Sequence, residues 1–246
     1  MHLAPPVFEK ARSYLNLQLT RPPGVEGRWH AVPSQFVTIS RECGSGGSSL
    51  ARLLAGQLNR QQPPAEGQPA WTVFDQEIVQ HMLTSQDLSP TLARFLPEDK
   101  VSELTSSVGE IVGLHPNLWD LVQRTNRFLR ELAQRGRVIL VGRGANFATA
   151  GIEGGIHVRL TAPVDHRDRH MARVMQCPLR EASAHNRQVD AARRSYVRSV
   201  FDSDGADPLH YDLLINTAQV GLDQAAVIVA SLVALRAPAP ARAEAV

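Results

Sequence analysis

The residues best equipped to do chemistry in this chain are Gly44, Ser45, Gly46, Gly47, Ser48 and Ser49. They form a run rich in glycine and hydroxyl groups, placed between a β-branched stretch at 36–40 and an amphipathic stretch at 50–58. A loop that leaves a strand and enters a helix turns consecutive backbone N–H groups toward an anion, reinforced by the helix dipole, and glycines let the main chain come close. The chemistry implied is the binding of phosphate groups through the backbone. Against the phosphate-loop pattern GxxxxGK followed by Ser or Thr, Gly46 takes the second glycine, Gly47 stands at the lysine and Arg41 at the first glycine. Losing one electrostatic donor to a transferring phosphoryl group typically costs about 3 kcal/mol in barrier. A working enzyme needs a substitute, and Arg41 is the nearest. Ser48 or Ser49 would offer a hydroxyl to Mg²⁺, with water and phosphate oxygens completing the shell. The competing reading is a glycine-rich turn that binds nothing; the flanking strand, helix and hydroxyls weigh against it.

Further cationic candidates are arginines almost by necessity, because Lys10 and Lys100 are the only lysines among 26 basic residues. A guanidinium suits the forked recognition of phosphate oxygens better than an ammonium does. Arg143 follows the apolar run 138–141 inside Gly142-Arg143-Gly144, and Arg187, Asp190 and Arg194 fall at i, i+3 and i+7. That spacing shares one helical face, so the carboxylate could aim guanidinium groups at an anion. The bland alternative is a solvated ladder of ion pairs worth a few tenths of a kcal/mol each.

The elements that must position these groups alternate. Strands are expected at 36–40, 71–74, 138–141, 156–160 and 213–215. Helices are expected at 50–58, from Asp75 through Met82, at 118–134, 163–175, 181–200 and 222–235. Alternation of this kind implies an α/β fold, a mostly parallel sheet covered on both faces with its ligand at the carboxyl ends of the strands. The proline-bearing residues 1–34 read as an N-terminal extension with a helix near 7–19. The body is 35–236, with a helical insertion at about 88–116, and 237–246 has the composition of a disordered tail.

With 246 residues, 43% hydrophobic and 20% charged, the chain can bury one substantial core. A net charge of +2 argues against a nucleic-acid or membrane-surface binder and for a small-molecule partner. Cys43 and Cys177 sit in unrelated contexts, which signals neither a disulfide framework nor a zinc site. Without an apolar run of spanning length or a basic-apolar leader, a cytoplasmic setting is expected. The apolar helices could support a homodimer.

Taken in order, the segments VTISRECGSGGSSLA, VFDQEIV, VILVGRGANF, HVRLTAPVDHRDRHMARV, RQVDAARRSYVRSVF and YDLLINTAQVGLDQAA resemble the cytidylate kinase-like family across most of residues 35–235. The resemblance implies a P-loop NTPase of the nucleoside monophosphate kinase type: a five-stranded parallel sheet flanked by helices, an acceptor-binding insertion and a lid near 175–190. It implies ATP as donor, a small phosphorylated acceptor such as a cytidine monophosphate, and Mg²⁺. By the same resemblance Asp75, Arg127, Asp190 and Arg193 would hold the acceptor. Arg41, Arg143 and Arg187 would serve the transferring phosphate, with Arg167, Arg169 and Arg173 beside it near the lid. Gly47 and Val141 depart from authentic cytidylate kinases, which carry lysine and aspartate there, whereas kinase-like relatives share the lysine-free loop. Two activities therefore stay open: phosphoryl transfer to a nucleoside monophosphate or similar acceptor, and a non-catalytic nucleotide sensor.

Weaker signals point elsewhere and fail. His166 and His170 are spaced i, i+4 but lack a third ligand. Gly142-Arg143-Gly144 begins a dinucleotide fingerprint that Phe147 ends. Asp202, Asp204 and Asp207 imitate a calcium loop with its glycine misplaced, and a turn is expected there. Cys43 reads as a small residue tolerated beside phosphate.

Overall fold

A computed structural model describes residues 5–19, 35–75 and 116–236. Helix α1 spans Pro5–Leu19, followed by β1 Phe36–Arg41, α2 Gly47–Gln61 and β2 Thr72–Phe74. Then come α3 Pro116–Arg135, β3 Val138–Val141, the short α4 Ala145–Ala148, β4 Gly155–Thr161, α5 Val164–Met175 and α6 Leu179–Phe201. A 3₁₀ turn at Pro208–His210, β5 Leu213–Asn216 and α7 Leu222–Leu235 complete the order. The helix expected through Met82, the insertion expected at about 88–116 save its last residue, and the tail from 237 lie outside the described residues.

The strands form one five-stranded sheet in the order β2-β3-β1-β4-β5. Every pairing is parallel, and β1 lies at the centre with Phe36 in register with both Val138 and Gly155. Alternate residues of β1 and β3 feed two separate cores, as the two-residue period of a strand requires. Phe36, Val138 and Leu140 join Ala11, Tyr14, Phe74, Phe128 and Leu132 on one face. Val37, Ile39, Ile139 and Val141 join Leu50, Leu54 and Leu58 of α2, with Val229 and Val233 of α7, on the other. Leu50, Leu54 and Leu58 have no exposed surface; each such side chain stabilises the fold by about 2 kcal/mol on leaving water. Helix α1 is part of the first core: Tyr14 packs edge-on to Phe74 with ring centroids 5.5 Å apart and donates to the Gly136 carbonyl at 2.6 Å.

Two element boundaries shape the candidate site. Strand β1 continues one residue past the expected end, so Arg41 is still in the sheet, paired with Leu160. Helix α2 begins at Gly47, inside the glycine cluster rather than after it. No helix among the described residues is long and apolar enough to cross a membrane.

Candidate phosphate-binding site

The chain leaves β1 through Glu42 and Cys43, then turns twice through left-handed backbone at Gly44 and Gly46, with φ of 81° and 88°. A side chain is strained in that conformation, and at Gly46 a Cβ would also lie 2.9 Å from the Leu222 methyl groups. Ser45 closes the turn: its N–H and hydroxyl both reach the Glu42 carbonyl, at 3.3 and 2.8 Å. Its amide, expected among the phosphate donors, is thus already engaged. Gly46 caps α2 without a side-chain hydrogen bond, and the first helical bond runs from Leu50 N–H to the Gly46 carbonyl. Among the described residues the N–H groups of Gly44, Gly46, Gly47, Ser48 and Ser49 therefore find no acceptor, and neither do the hydroxyls of the exposed Ser48 and half-buried Ser49. Unpaired donors converge at a helix N-terminus, where the dipole favours negative charge.

Arg41 lies across this cradle. A Cβ at Gly47 would sit 2.8 Å from Arg41 Cγ, and one at Gly142 would collide with Arg41 Nη1, so the side chain runs from the start of α2 over the end of β3. The guanidinium has no hydrogen-bond or ion-pair partner among the described residues. Burial, and then the like charge of Arg193, pull its pKa down to about 9; Asp75 and the Cys43 thiol oppose that fall, and Arg143 adds to it. An unpaired cation in a desolvated place is costly unless an anion joins it.

The opposite wall is the turn after β3. Gly142, Arg143 and Gly144 all have left-handed backbone, with φ of 80°, 55° and 62°; for arginine this is an uncommon, strained choice. Gly142 N–H ties the turn to the Ile39 carbonyl at 3.0 Å. A Cβ at Gly144 would strike the Phe201 ring, which stacks on Phe147 at 5.4 Å. Arg143 is half-buried; burial lowers its pKa and the neighbouring Tyr196 raises it.

Behind the loop lies a network that sequence reasoning missed. Arg167, only 7% exposed, donates from Nη1 to the Cys43 carbonyl at 3.0 Å and pairs with Asp190 Oδ2 at 2.8 Å. Its Nε reaches the Ala162 carbonyl at 3.0 Å and lies 3.4 Å from Glu42 Oε2. Glu42 also accepts from the Thr161 hydroxyl at 2.7 Å. Asp190 Oδ1 accepts the Cys43 N–H at 2.7 Å. Arg193 lies 3.7 Å from that same oxygen and donates to the Arg41 carbonyl at 3.3 Å. Asp190 and Arg193, expected at the acceptor, are thus joined to the underside of the phosphate loop, and Arg167, expected beside the transferring phosphate, is the hub beneath it.

The helical face expected to join Arg187, Asp190 and Arg194 does not form as a ladder. Asp190 turns inward to Arg167, and Arg187 is exposed, donating to the Ser183 hydroxyl at 2.7 Å. A carboxylate gains more from a desolvated, hydrogen-bonded guanidinium than from an exposed pair one turn away. The turn Gln176–Pro178 and the first half of α6 occupy the region expected as lid. Arg169 and Arg173 are exposed on α5 and, with His166, Ala172 and Leu179, line an open hollow of about 360 Å³. Arg127 is exposed on α3, and Asp75 is half-buried after β2 within electrostatic reach of Arg41.

The remaining signals resolve plainly. Asp204 and Asp207 accept from their own turns, at Ala206 N–H and Leu209 N–H. The Cys43 thiol is pushed up by burial, the behaviour of a small core residue. Among the described residues no three His, Cys, Asp or Glu side chains gather as metal ligands.

Residues 36–219 match the model of the cytidylate kinase-like family. No curated protein matches the chain. Among solved structures, an uncharacterized protein from Eubacterium ventriosum superposes with a TM-score of 0.60 at 18% identity, over 82% of this chain and 99% of that one. A shikimate kinase from Bacteroides thetaiotaomicron gives a TM-score of 0.46 at 15% identity, over 81% of this chain and 98% of its own. The parallel sheet, the backbone cradle at the end of its central strand and the family match over three-quarters of the sequence agree: this chain belongs to the cytidylate kinase-like family, with a P-loop kinase-like α/β fold.

Proposed function

We propose that the protein is an ATP-dependent phosphotransferase that moves the γ-phosphoryl group to a nucleoside monophosphate, of the cytidine type, or to a similar small phosphorylated acceptor. The carrying observation is the pairing of unengaged amides at Gly44 and Gly46–Ser49 with a desolvated, unpartnered Arg41. The amides would hold the β- and γ-phosphates. Arg41 and Arg143 would neutralise charge as it moves between donor and acceptor oxygens, and Arg187, which makes no ion pair among the described residues, would approach from α6. Asp75 and Arg127 would flank the acceptor, with Arg193 beside Arg41. Little base catalysis is needed when the attacking group is already a phosphate oxygen.

The free hydroxyls of Ser48 and Ser49 on the first turn of α2 fit a Mg²⁺ ion held largely by phosphate and water. Ser48 and Ser49 would help to hold the ion, which would supply positive charge to offset that of the phosphate groups. The test is ATP turnover measured across nucleoside monophosphates. Acceptor-stimulated release of ADP is the expected result. ATP binding without turnover for any acceptor would replace this reading with that of a nucleotide sensor, which the absent lysine at Gly47 favours.

A further inference from the structure

Asp190 lies 147 residues after Cys43 in sequence, yet it decides how the phosphate loop is held. Its Oδ1 takes the N–H of Cys43, and its Oδ2 holds the guanidinium that takes the carbonyl of the same residue. Both main-chain polar groups of Cys43 are therefore clamped by one carboxylate and its ion-pair partner. The next residue, Gly44, is pressed against the main chain of α5, where a Cβ would lie 2.6 Å from the Arg167 carbonyl. The clamp thus fixes the peptide from which the free amides fan out, while the amides themselves remain open.

The same helix also reaches the opposite wall. Phe201, eleven residues beyond Asp190 and so about 16 Å along α6, packs on Gly144 of the turn that carries Arg143. Arg193, between them, bonds to the Arg41 carbonyl. Helix α6 is a strut joining the loop, the arginine that crosses it and the facing turn.

We propose that Asp190 is the positioning residue that sets the phosphate loop: through Cys43 and Arg167 it couples the placement of α5 and α6 to the orientation of the amides at Gly44–Ser49. This rests on the phosphate-binding reading only for its ligand-affinity arm. The role differs from acceptor contact, since both carboxylate oxygens are committed to the loop and to Arg167.

The test uses the full chain with Asp190→Ala and Asp190→Asn. Asparagine still accepts the Cys43 N–H but loses the ionic hold on Arg167. Hydrogen exchange at the amides of Cys43 and Ser45, the two of residues 43–49 that are hydrogen-bonded, read without ligand, should quicken at least about tenfold in the alanine variant and by a smaller factor in the asparagine variant, while the strands keep their protection. The Kd for ATP should rise about tenfold and about threefold respectively, the former being the loss of one charge-assisted hydrogen bond. Loop exchange and affinity at wild-type levels in the alanine variant overturn the proposal. Should alanine prevent folding, the asparagine variant decides alone: wild-type values in both measurements overturn it, and faster loop exchange with weaker binding supports it. If the wild-type chain binds no ATP, the phosphate-binding reading falls, and the exchange arm still decides the clamp.

Discussion

Arg41 and Gly47 exclude one another's alternatives: the Arg41 side chain covers the Gly47 Cα so closely that a Cβ there would sit 2.8 Å from Arg41 Cγ. The lysine of the usual phosphate loop, added at 47, would force the Arg41 side chain to move. The two departures from the pattern lie against each other in space, a cationic side chain from 41 over a bare glycine at 47.

Gly47→Lys alone should therefore weaken ATP binding, by about tenfold, because its stem displaces Arg41. Arg41→Gly with Gly47→Lys rebuilds the sequence GECGSGKS and should return the Kd to within about threefold of wild type. Calorimetric titration of both variants checks this. A gain of affinity in the single variant would show that the two side chains do not compete.

The depressed pKa of Arg41 predicts a pH dependence with a definite sign. The folded chain releases this proton near pH 9, whereas the unfolded chain keeps it to the ordinary guanidinium range. Between those limits the unfolded state binds more protons, so this group's contribution to stability rises with pH, and its full penalty is present below about pH 9. Arg41→Met should raise the melting temperature of the ligand-free protein at pH 7.5, by roughly 2–4 °C, and reduce the further rise caused by ATP. In wild type the affinity for ATP should fall about fivefold from pH 9 to pH 10 as the protonated fraction of Arg41 falls, and in Arg41→Met it should stay flat. Titrations at pH 8, 9 and 10 read both trends.

Ser48 faces solvent on the first turn of α2. If its hydroxyl meets Mg²⁺, Ser48→Ala should leave ATP binding in EDTA unchanged and remove most of the additional stabilisation that Mg²⁺ provides, about 1 kcal/mol. Thermal shifts with ATP, with and without Mg²⁺, measure the increment. Equal increments in variant and wild type would move the ion to Ser49 or away from the loop.

His157 gives the acid limb. Its Nδ1 lies 2.8 Å from the Thr38 hydroxyl, and burial holds its pKa below the usual histidine value, against the pull of Asp212. As pH falls through the unfolded value near 6.5, the unfolded state gains a proton first and stability is lost. Denaturant unfolding at pH 7.5 and 5.5 should show a decline that His157→Gln makes shallower.

Much of this molecule is local in origin and legible in the residues. The β-branched alternation of Phe36–Arg41 and the period of Leu50, Leu54 and Leu58 dictate strand and helix by themselves. Glycines at 44 and 46 mark the turn because left-handed backbone strains other residues. What stayed hidden were partnerships across long stretches of chain. Nothing in Arg41 or Gly47 states that one side chain lies over the other's α-carbon. Nothing in the spacing of Arg187, Asp190 and Arg194 discloses that Asp190 faces Cys43 and Arg167 instead of Arg187 and Arg194. A side chain's partner is decided by which groups the packed sheet and helices desolvate together, and that competition exists only once the fold has closed. The sequence alone thus determined the backbone cradle and its chemistry, while the tertiary structure decided which cations and carboxylates hold it in shape.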